Sequence, residues 1–400
     1  MLKAWRGLEA RVQLLFVLTG ASALAFAAWQ ALLNNFAVER AAFDGAQIGM
    51  LQSAREVPGF LAFTAVWVLL VLTQQRFALL ALAVLGLGTA ATGLLPSFTG
   101  LMITTVVMSV GFHYLETLQT SLTLQWIPKA QTAVTMGRLT ATRSGVTLAS
   151  LGVLYLLLWT LELDYAWLYA GAGLLAAGAA LWAALRYPLF REDVPQRKEL
   201  ILRRRYWLYY LLTFLSGARR QIFVVFAGFL LVEKFGLPIE TMVLLFLVNA
   251  ALTTWLAPKI GALIARIGER HALTLEYAGL VAVFTAYAFV DSVWLAVALY
   301  LVDHVFFSMA IAIKTYFQKI ADPADIASTA GISFTINHIA AVVLPVALGA
   351  LWLESPAAVF LTGSLLALVS LASAQLIPDD PEPGAEVRGS EATAPATAAP

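Results

Sequence analysis

The stretch VQLLFVLTGASALAFAAWQALL, residues 12–33, decides the class of fold. It has no charged side chain, and about 20 apolar residues in a helix are enough to cross the roughly 30 Å hydrocarbon core of a bilayer. The basic residues Lys3, Arg6 and Arg11 precede it, as they would in a secretory signal peptide. The apolar core of a signal peptide is shorter, about 7–15 residues, so we expect this segment to remain as the first transmembrane helix.

The composition of the whole chain also indicates a membrane protein. Of the 400 residues, 60% are hydrophobic and 12% are charged, whereas about 25% of the residues in an average soluble domain are charged. This excludes a soluble enzyme, a nucleic-acid-binding protein and a disordered scaffold. The net charge of +1 gives no sign of a polyanionic partner, and the sequence contains no cysteine. We expect no cofactor and no resident metal, and we expect a monomer in the lipid bilayer.

Eleven further apolar segments predict an all-α integral membrane protein with twelve transmembrane helices. A basic linker, residues 186–206, divides the spans into two six-helix halves, residues 1–185 and 207–376. Residues 377–400 are rich in Pro, Ala and acidic residues, so we expect a disordered cytoplasmic tail. The predicted spans are roughly 12–34, 46–72, 77–95, 100–127, 132–159, 165–185, 207–232, 240–263, 272–290, 293–317, 326–352 and 355–376.

The placement of lysine and arginine predicts the orientation, because cytoplasmic loops carry an excess of these residues. If the N-terminus is cytoplasmic, the same side receives the basic linker, Lys259 and Lys319, whereas the opposite side has only Arg40 and Lys234. We therefore expect both termini in the cytoplasm. The compact loops are consistent with a plasma membrane of the bacterial inner-membrane type.

Charged residues are absent or rare in every third predicted span. Spans 3, 6 and 12 have none in their interiors, and span 9 has only Glu276, which we expect near its cytoplasmic end. A charge that faces lipid at the bilayer centre costs at least about 2.5–3.5 kcal/mol, so the charged spans face protein or water. Every third helix is then free to face lipid, as in a bundle built from three-helix repeats.

In these features the chain resembles the major facilitator superfamily of secondary transporters, over about residues 12–376. One local motif adds to the resemblance: the loop between spans 8 and 9 reads GALIARIGER and keeps that family's glycine and arginine spacing. Ala265 replaces the usual acidic residue. A basic turn that follows the positive-inside rule is the alternative interpretation. The residues that match the motif are Gly261, Arg266, Gly268 and Arg270.

The resemblance implies two halves that rock about a central site, which is lined by helices 1, 4, 7 and 10. Polar residues on these helices fit that role: on span 4, His113, Glu116 and Gln119 are spaced by three residues and share one helical face. We predict that substrate contacts come from Gln30, Asn34, His113, Gln119, Arg143, Arg219, Arg220, His304, Lys314 and Asn337. We predict that proton coupling involves Glu56, Glu116 and Asp303.

The balance of deep charges predicts the class of substrate. Five permanent cations, Arg55, Arg143, Arg219, Arg220 and Lys314, face three acids, Glu56, Glu116 and Asp303. Because an uncompensated buried cation is costly and arginine matches carboxylate and phosphate with a bidentate fork, we expect a small organic or phosphorylated anion as substrate. Proton uptake by the acids would couple its movement to the proton gradient, and the direction, import or efflux, stays open.

The same charged residues also permit roles that need no anionic substrate. Arg55 and Arg143 could pair with Glu56 and Glu116 to hold helices together. His113, Glu116, Asp303 and His304 could form a nitrogen and oxygen metal site, which would indicate export of metal ions or amphipathic drugs. A receptor, scaffold or membrane-embedded enzyme is a different class, but the sequence has no HExxH, no Walker loop and no serine hydrolase pattern.

Overall fold

The computed structural model describes residues 7–389, apart from residues 44, 162, 192, 198 and 238, and most of this range is helical. We number twelve helices in chain order. They are α1 (Ala10–Ala41), α2 (Gly45–Phe60), α3 (Gln74–Thr92), α4 (Phe98–Trp126), α5 (Lys129–Leu161), α6 (Tyr165–Arg186), α7 (Trp207–Gln221), α8 (Ile239–Ile267), α9 (Glu269–Ala288), α10 (Val293–Phe307), α11 (Ile326–Glu354) and α12 (Pro356–Ala374).

Three of these helices continue beyond their bounds with a change in winding. α2 and α10 pass through a 3₁₀ turn, and α7 widens into a π-helical segment. In α2 the change comes shortly after Pro58, which lacks the amide hydrogen that the helical ladder needs. The continuations are Leu61–Thr64 and Ala65–Val68 after α2, Ile222–Ala227 and Gly228–Glu233 after α7, and Ser308–Ala310 and Ile311–Ile320 after α10.

In the described part of the chain, nine helices are long and apolar enough to cross a membrane: α1, α3 to α6, α8 and α10 to α12. The other three, α2, α7 and α9, are shorter or carry charges within the helix, such as Glu56, Arg219 and Glu276. Their number and order are consistent with the twelve predicted spans.

The contacts divide the chain into two compact units. The first contains residues up to Ile127 together with Leu139–Leu200 and Ala327–Thr335, and the second contains Pro128–Arg138, Ile201–Ile326 and the residues from Ile336 onwards. The first unit thus holds α1 to α4, α6 and most of α5, and the second holds α7 to α10, α12 and most of α11. The division into halves at residues 186–206 stays a prediction.

Close backbone contact holds the first unit together around α3. A Cβ atom on Gly88 would lie 2.6 Å from the backbone nitrogen of Met108 on α4, and one on Gly86 would lie 2.6 Å from the backbone of Ala177 on α6. Because van der Waals packing is the main attraction between membrane helices, small residues at such contacts let the backbones approach. In the second unit α9 packs along α12, where the rings of Tyr287 and Phe360 stack with centroids 4.9 Å apart.

The segment after α12 is folded as far as the structure describes it, to Gly389. Tyr316 donates a hydrogen bond of 2.6 Å to the carbonyl oxygen of Glu386, whose side chain is buried, and the amide of Arg388 donates to Leu376 at 2.7 Å. These contacts differ from the disorder that we expected, because acidic and proline-rich residues here meet partners on the helices. Residues 390–400 of the predicted tail lie outside the described residues.

Candidate functional site

The first polar cluster lies in the first unit, between α1, α2 and α4. Arg55 and Glu56 form an ion pair with a distance of 2.5 Å between NH2 and Oε1, and the guanidinium carbon of Arg55 lies 5.9 Å from the ring centroid of the buried Trp29. Glu56 Oε2 also faces Nε2 of His113 at 3.9 Å. The cluster therefore combines a cation, an acid and a histidine on residues that α2 and α4 bring together.

Hydrogen bonds assign the tautomer of His113. Ser109 donates its hydroxyl hydrogen to the carbonyl oxygen of Arg55, so its oxygen is an acceptor for Nδ1–H of His113 at 2.9 Å. The Ser109 carbonyl oxygen, 3.0 Å away, is a second acceptor for the same hydrogen. Nε2 then points towards Glu56, and a proton placed between Nε2 and the carboxylate would join the two groups.

A second ion pair in the same unit connects α5 with α4. Arg143 donates from NH2 to Oε1 of Glu116, and both side chains are partly exposed, 38% for Arg143 and 17% for Glu116. Both arginine–glutamate pairs that the sequence left open are present. Only Arg143–Glu116 joins two helices, because Arg55 and Glu56 are neighbours on α2.

The other predicted residues of the first unit have different surroundings. Gln119 is buried and donates to the hydroxyl of Thr19 on α1, so its amide nitrogen links two helices. Gln30 is exposed. The side chain of Asn34 lies outside the described residues.

In the second unit, the buried polar cluster is centred on Arg219. This residue is 1% exposed, and its NH2 atom lies 3.6 Å from Oε1 of Glu276 on α9. NH1 donates to the hydroxyl of Ser370 on α12, and the guanidinium carbon lies 4.3 Å from the ring centroid of Tyr277. We predicted substrate contact for Arg219, but these surroundings favour a role inside the unit.

Two buried acids surround this arginine. Asp303, which we predicted for proton coupling, is fully buried on α10 and interacts electrostatically with Arg219 and Glu276. Glu276 is fully buried about two turns into α9. The sequence-based prediction assigned Glu276 no role, although a single acid in an otherwise apolar span was the signal that could have indicated one.

The remaining predicted residues of the second unit fall into two groups. Arg220 and Lys314 are partly exposed, whereas Asn337 takes part in packing and donates to the carbonyl oxygen of Thr213 at 3.4 Å. His304 has Nδ1 at 3.0 Å from the carbonyl oxygen of Tyr300 and at 3.1 Å from the side chain of Asn249. All four side chains are partly exposed, and the first group consists of the two permanent cations among them.

The metal site that the sequence left open has no support in the second unit. Asp303 interacts electrostatically with the cationic Arg219, while His304 turns its Nδ1 towards Asn249 on α8. An arginine next to a carboxylate opposes the binding of a cation, and the two neighbouring side chains have separate surroundings.

The loop motif between α8 and α9 is built as its sequence suggests. Gly268 has a positive φ of 80°, which explains the glycine at this turn, and a Cβ atom on Gly261 would meet the backbone of Ala133. Arg266 is exposed. Arg270 pairs with Asp379 after α12. The motif has Ala265 at its usual acidic position, and the acid that pairs with its arginine comes from the C-terminal segment.

An open groove of about 1170 Å³ lies elsewhere in the first unit, between α1, α5 and α6. Its walls are almost wholly apolar, with Leu24, Val146, Leu154 and Trp167 among them. The charged clusters described above do not line it, so we assign it no part in the candidate site.

Comparisons with known proteins agree with this arrangement. A family model described as the Major Facilitator Superfamily matches residues 13–345. The human organic anion transporter MFSD10 (TETRAN) is similar in structure, with a TM-score of 0.75 and 17% identity over 92% of this chain and 99% of that chain. A Major Facilitator Superfamily transporter, FucP, in the outward conformation has a TM-score of 0.75 and 14% identity over the same shares of the two chains.

A bacterial homologue of the iron transporter ferroportin, in an outward-facing state, has a TM-score of 0.73 and 14% identity, and covers 92% of this chain and 99% of that chain. A search of curated proteins found no match. At these identities the solved structures show the fold alone, whereas the family model covers most of the sequence. The chain therefore belongs to the Major Facilitator Superfamily.

Proposed function

We propose that this protein moves a small organic or phosphorylated anion together with protons by alternating access. Membership of the family makes it an integral membrane transporter of a small-molecule substrate, and not an enzyme. The observation that carries the finer proposal is the Arg143–Glu116 ion pair, which lies within the membrane helices and is partly exposed.

The coupling follows from exchange of the partner of Arg143. A substrate carboxylate or phosphate offers the guanidinium the same bidentate acceptor as Glu116. When the anion takes that place, Glu116 loses its cation in a partly dry site, where the ionised form is costly. Proton uptake by Glu116 then accompanies binding of the anion, and release of the anion restores the ion pair and frees the proton.

The balance of deep charges supports an anion, although by a smaller margin than the sequence suggested. With Glu276 included and every acid counted as ionised, the five cations face four acids, so at least one positive charge remains. Arg220 and Lys314 are partly exposed in the second unit and are the cations that we assign to the substrate there.

Two neighbours in fold are named for related activities, organic anion transport for MFSD10 and fucose:proton symport for the E. coli protein FucP. These names describe those proteins. With 17% and 15% identity they support the fold of this chain, and the choice of an anion rests on its own charges.

The test is uptake into proteoliposomes that contain the purified protein. Radiolabelled carboxylates and sugar phosphates are offered with and without a pH gradient that is acidic on the side of the substrate. We expect the gradient to drive accumulation of one of these anions. Glu116→Gln should retain exchange of labelled for unlabelled anion but lose accumulation, because the proton acceptor is gone. Accumulation in Glu116→Gln equal to that of the wild type, or transport of cations only, would contradict the proposal.

A further inference from the structure

The second unit contains a charge cluster that is sealed from its surroundings. Arg219 on α7, Glu276 on α9 and Asp303 on α10 are 1%, 0% and 0% exposed. Ser370 from α12 accepts a hydrogen bond from Arg219, and Tyr277, Tyr287 and Tyr300 are the titratable groups that interact electrostatically with the acids. Four helices therefore surround one cation and two carboxyl groups.

The polar atoms of this cluster lack hydrogen-bond partners among the residues that the structure describes. Neither side-chain oxygen of Glu276 or Asp303 receives a hydrogen bond, and Nε and NH2 of Arg219 donate none. The 3.6 Å between Arg219 and Glu276 is an electrostatic contact rather than a hydrogen bond. Buried carboxylates normally accept hydrogen bonds from several donors. Because none of the four side-chain oxygens of Glu276 and Asp303 has a donor, we infer that one of the two acids is protonated.

The charges lead to the same conclusion. With both acids ionised, the cluster would have a net charge of −1 in a sealed interior, and two like charges in one dry site raise the cost of ionisation. One proton makes the cluster neutral. It also removes the repulsion between the two acids, which interact electrostatically.

We propose that Arg219, Glu276 and Asp303 form a binding site for a single proton, which the two acids share. Arg219 interacts with both acids, so either acid can be the ionised partner while the other keeps the proton. Such a pair titrates as a unit. The site is separate from the Arg143–Glu116 pair, and it does not depend on which substrate is transported or on whether protons drive transport.

The test is infrared difference spectroscopy of the substrate-free protein in lipid, at pH 7 and in H₂O and D₂O. A protonated carboxyl group gives a C=O stretching band that shifts in D₂O and is separate from the bands of amides and ionised carboxylates. We expect the wild type to contain a band that disappears in Glu276→Gln and also in Asp303→Asn. In each variant a single carboxylate remains beside Arg219, and that pair is neutral without a proton.

Substitutions of Arg219 distinguish one proton shared by the two acids from protonation of each acid by burial alone. In Arg219→Gln both acids lose their cation, so we expect the band to double in intensity, whereas Arg219→Lys keeps the charge and should keep one band. Asp291→Asn is the matched control, because Asp291 is an exposed acid beside Lys234, and it should leave the band unchanged.

Two results would overturn the proposal. If Glu276→Gln and Asp303→Asn each retained half of the band, both acids would be protonated independently. If the wild type had no band that either variant removes, both acids would be ionised. These measurements need no transport assay, so their failure would leave the coupling by Glu116 untouched, and failure of that coupling would leave this site untouched.

Discussion

Arg143 on α5 donates a hydrogen bond to Glu116 on α4, so one ion pair joins two helices of the first unit. Within a membrane domain such a pair contributes to stability and to function at once. The two contributions can be separated, because removal of one charge leaves its partner unpaired, whereas removal of both does not.

We expect Glu116→Gln to lower the free energy of unfolding by about 1–2 kcal/mol, less than the full cost for a buried group because Arg143 is partly exposed. The double variant Glu116→Gln/Arg143→Gln should be more stable than Glu116→Gln, since no uncompensated cation remains, and it should fold without transporting the anion. Thermal unfolding in detergent and uptake into proteoliposomes measure the two effects. Asp164→Asn is the control, because its pair with Arg40 is well exposed and should contribute at most about 1 kcal/mol. A double variant less stable than Glu116→Gln would contradict this prediction.

Two glycines of the α7 region provide a test of helix packing. A Cβ atom on Gly217 would lie 2.6 Å from the carbonyl oxygen of Asn337 on α11, whereas one on Gly228 meets nothing within 4 Å. Gly217→Ala should therefore destabilise the protein by about 1–3 kcal/mol through overpacking. Gly228→Ala should be neutral or stabilise it by up to about 1 kcal/mol, because alanine favours a helix. Melting temperatures of the two variants measure the difference, and equal values would mean that α7 and α11 do not approach as closely as described.

The sequence predicts the helices well because the bilayer leaves little choice. A run of about 20 apolar residues must satisfy its backbone hydrogen bonds within itself, so the predicted spans agree closely with α3, α4 and α6, whereas α1 continues beyond its predicted end to Ala41. The same argument explains why Arg219 could be recognised as a residue that avoids lipid.

The sequence could not predict which residues these charges meet. Arg219 and Arg220 are neighbours, yet they point about 100° apart on the helix, and only packing against α9 and α12 decides that the first is buried and the second partly exposed. We expected Glu276 near a helix end, because its position relative to the bilayer depends on where α9 begins. The sequence also could not predict that Arg270 pairs with Asp379, because the two residues are more than a hundred positions apart.

The C-terminal segment gives a third prediction. Tyr316 donates to the carbonyl oxygen of Glu386, so a chain that ends at Ile377 leaves a buried hydroxyl without this acceptor. We expect that truncation to cost about 1–3 kcal/mol and Tyr316→Phe in the full chain to cost about 0.5–1.5 kcal/mol. In the truncated chain, Tyr316→Phe should cost nothing or be stabilising.

The unfolding free energies of the four proteins form a double-mutant cycle, and a chain ending at Gly389 is the control that keeps every described contact. Equal costs of Tyr316→Phe in both backgrounds would show that the segment does not use this hydrogen bond.

The basic linker gives a prediction about pH. Arg11 pairs with Asp193 at 2.5 Å, and the hydrogen bond from its guanidinium holds the pKa of the Asp193 carboxyl below its ordinary value. Because the pKa is depressed in the folded state, the stabilisation is present above the pKa of the unfolded chain, about 3.9, and is lost as the pH falls through the lower value of the folded protein. Asp193 is 63% exposed, so the contribution should be at most about 1 kcal/mol. We expect Asp193→Asn to lower stability slightly at pH 7, with a difference from the wild type that disappears once the pH is below the depressed pKa of Asp193 in the folded protein. Thermal unfolding in detergent over this range measures it, with Asp380→Asn, a change at another exposed acid, as the control. A difference that grew on acidification would have the wrong sign for a carboxylate held ionised by Arg11.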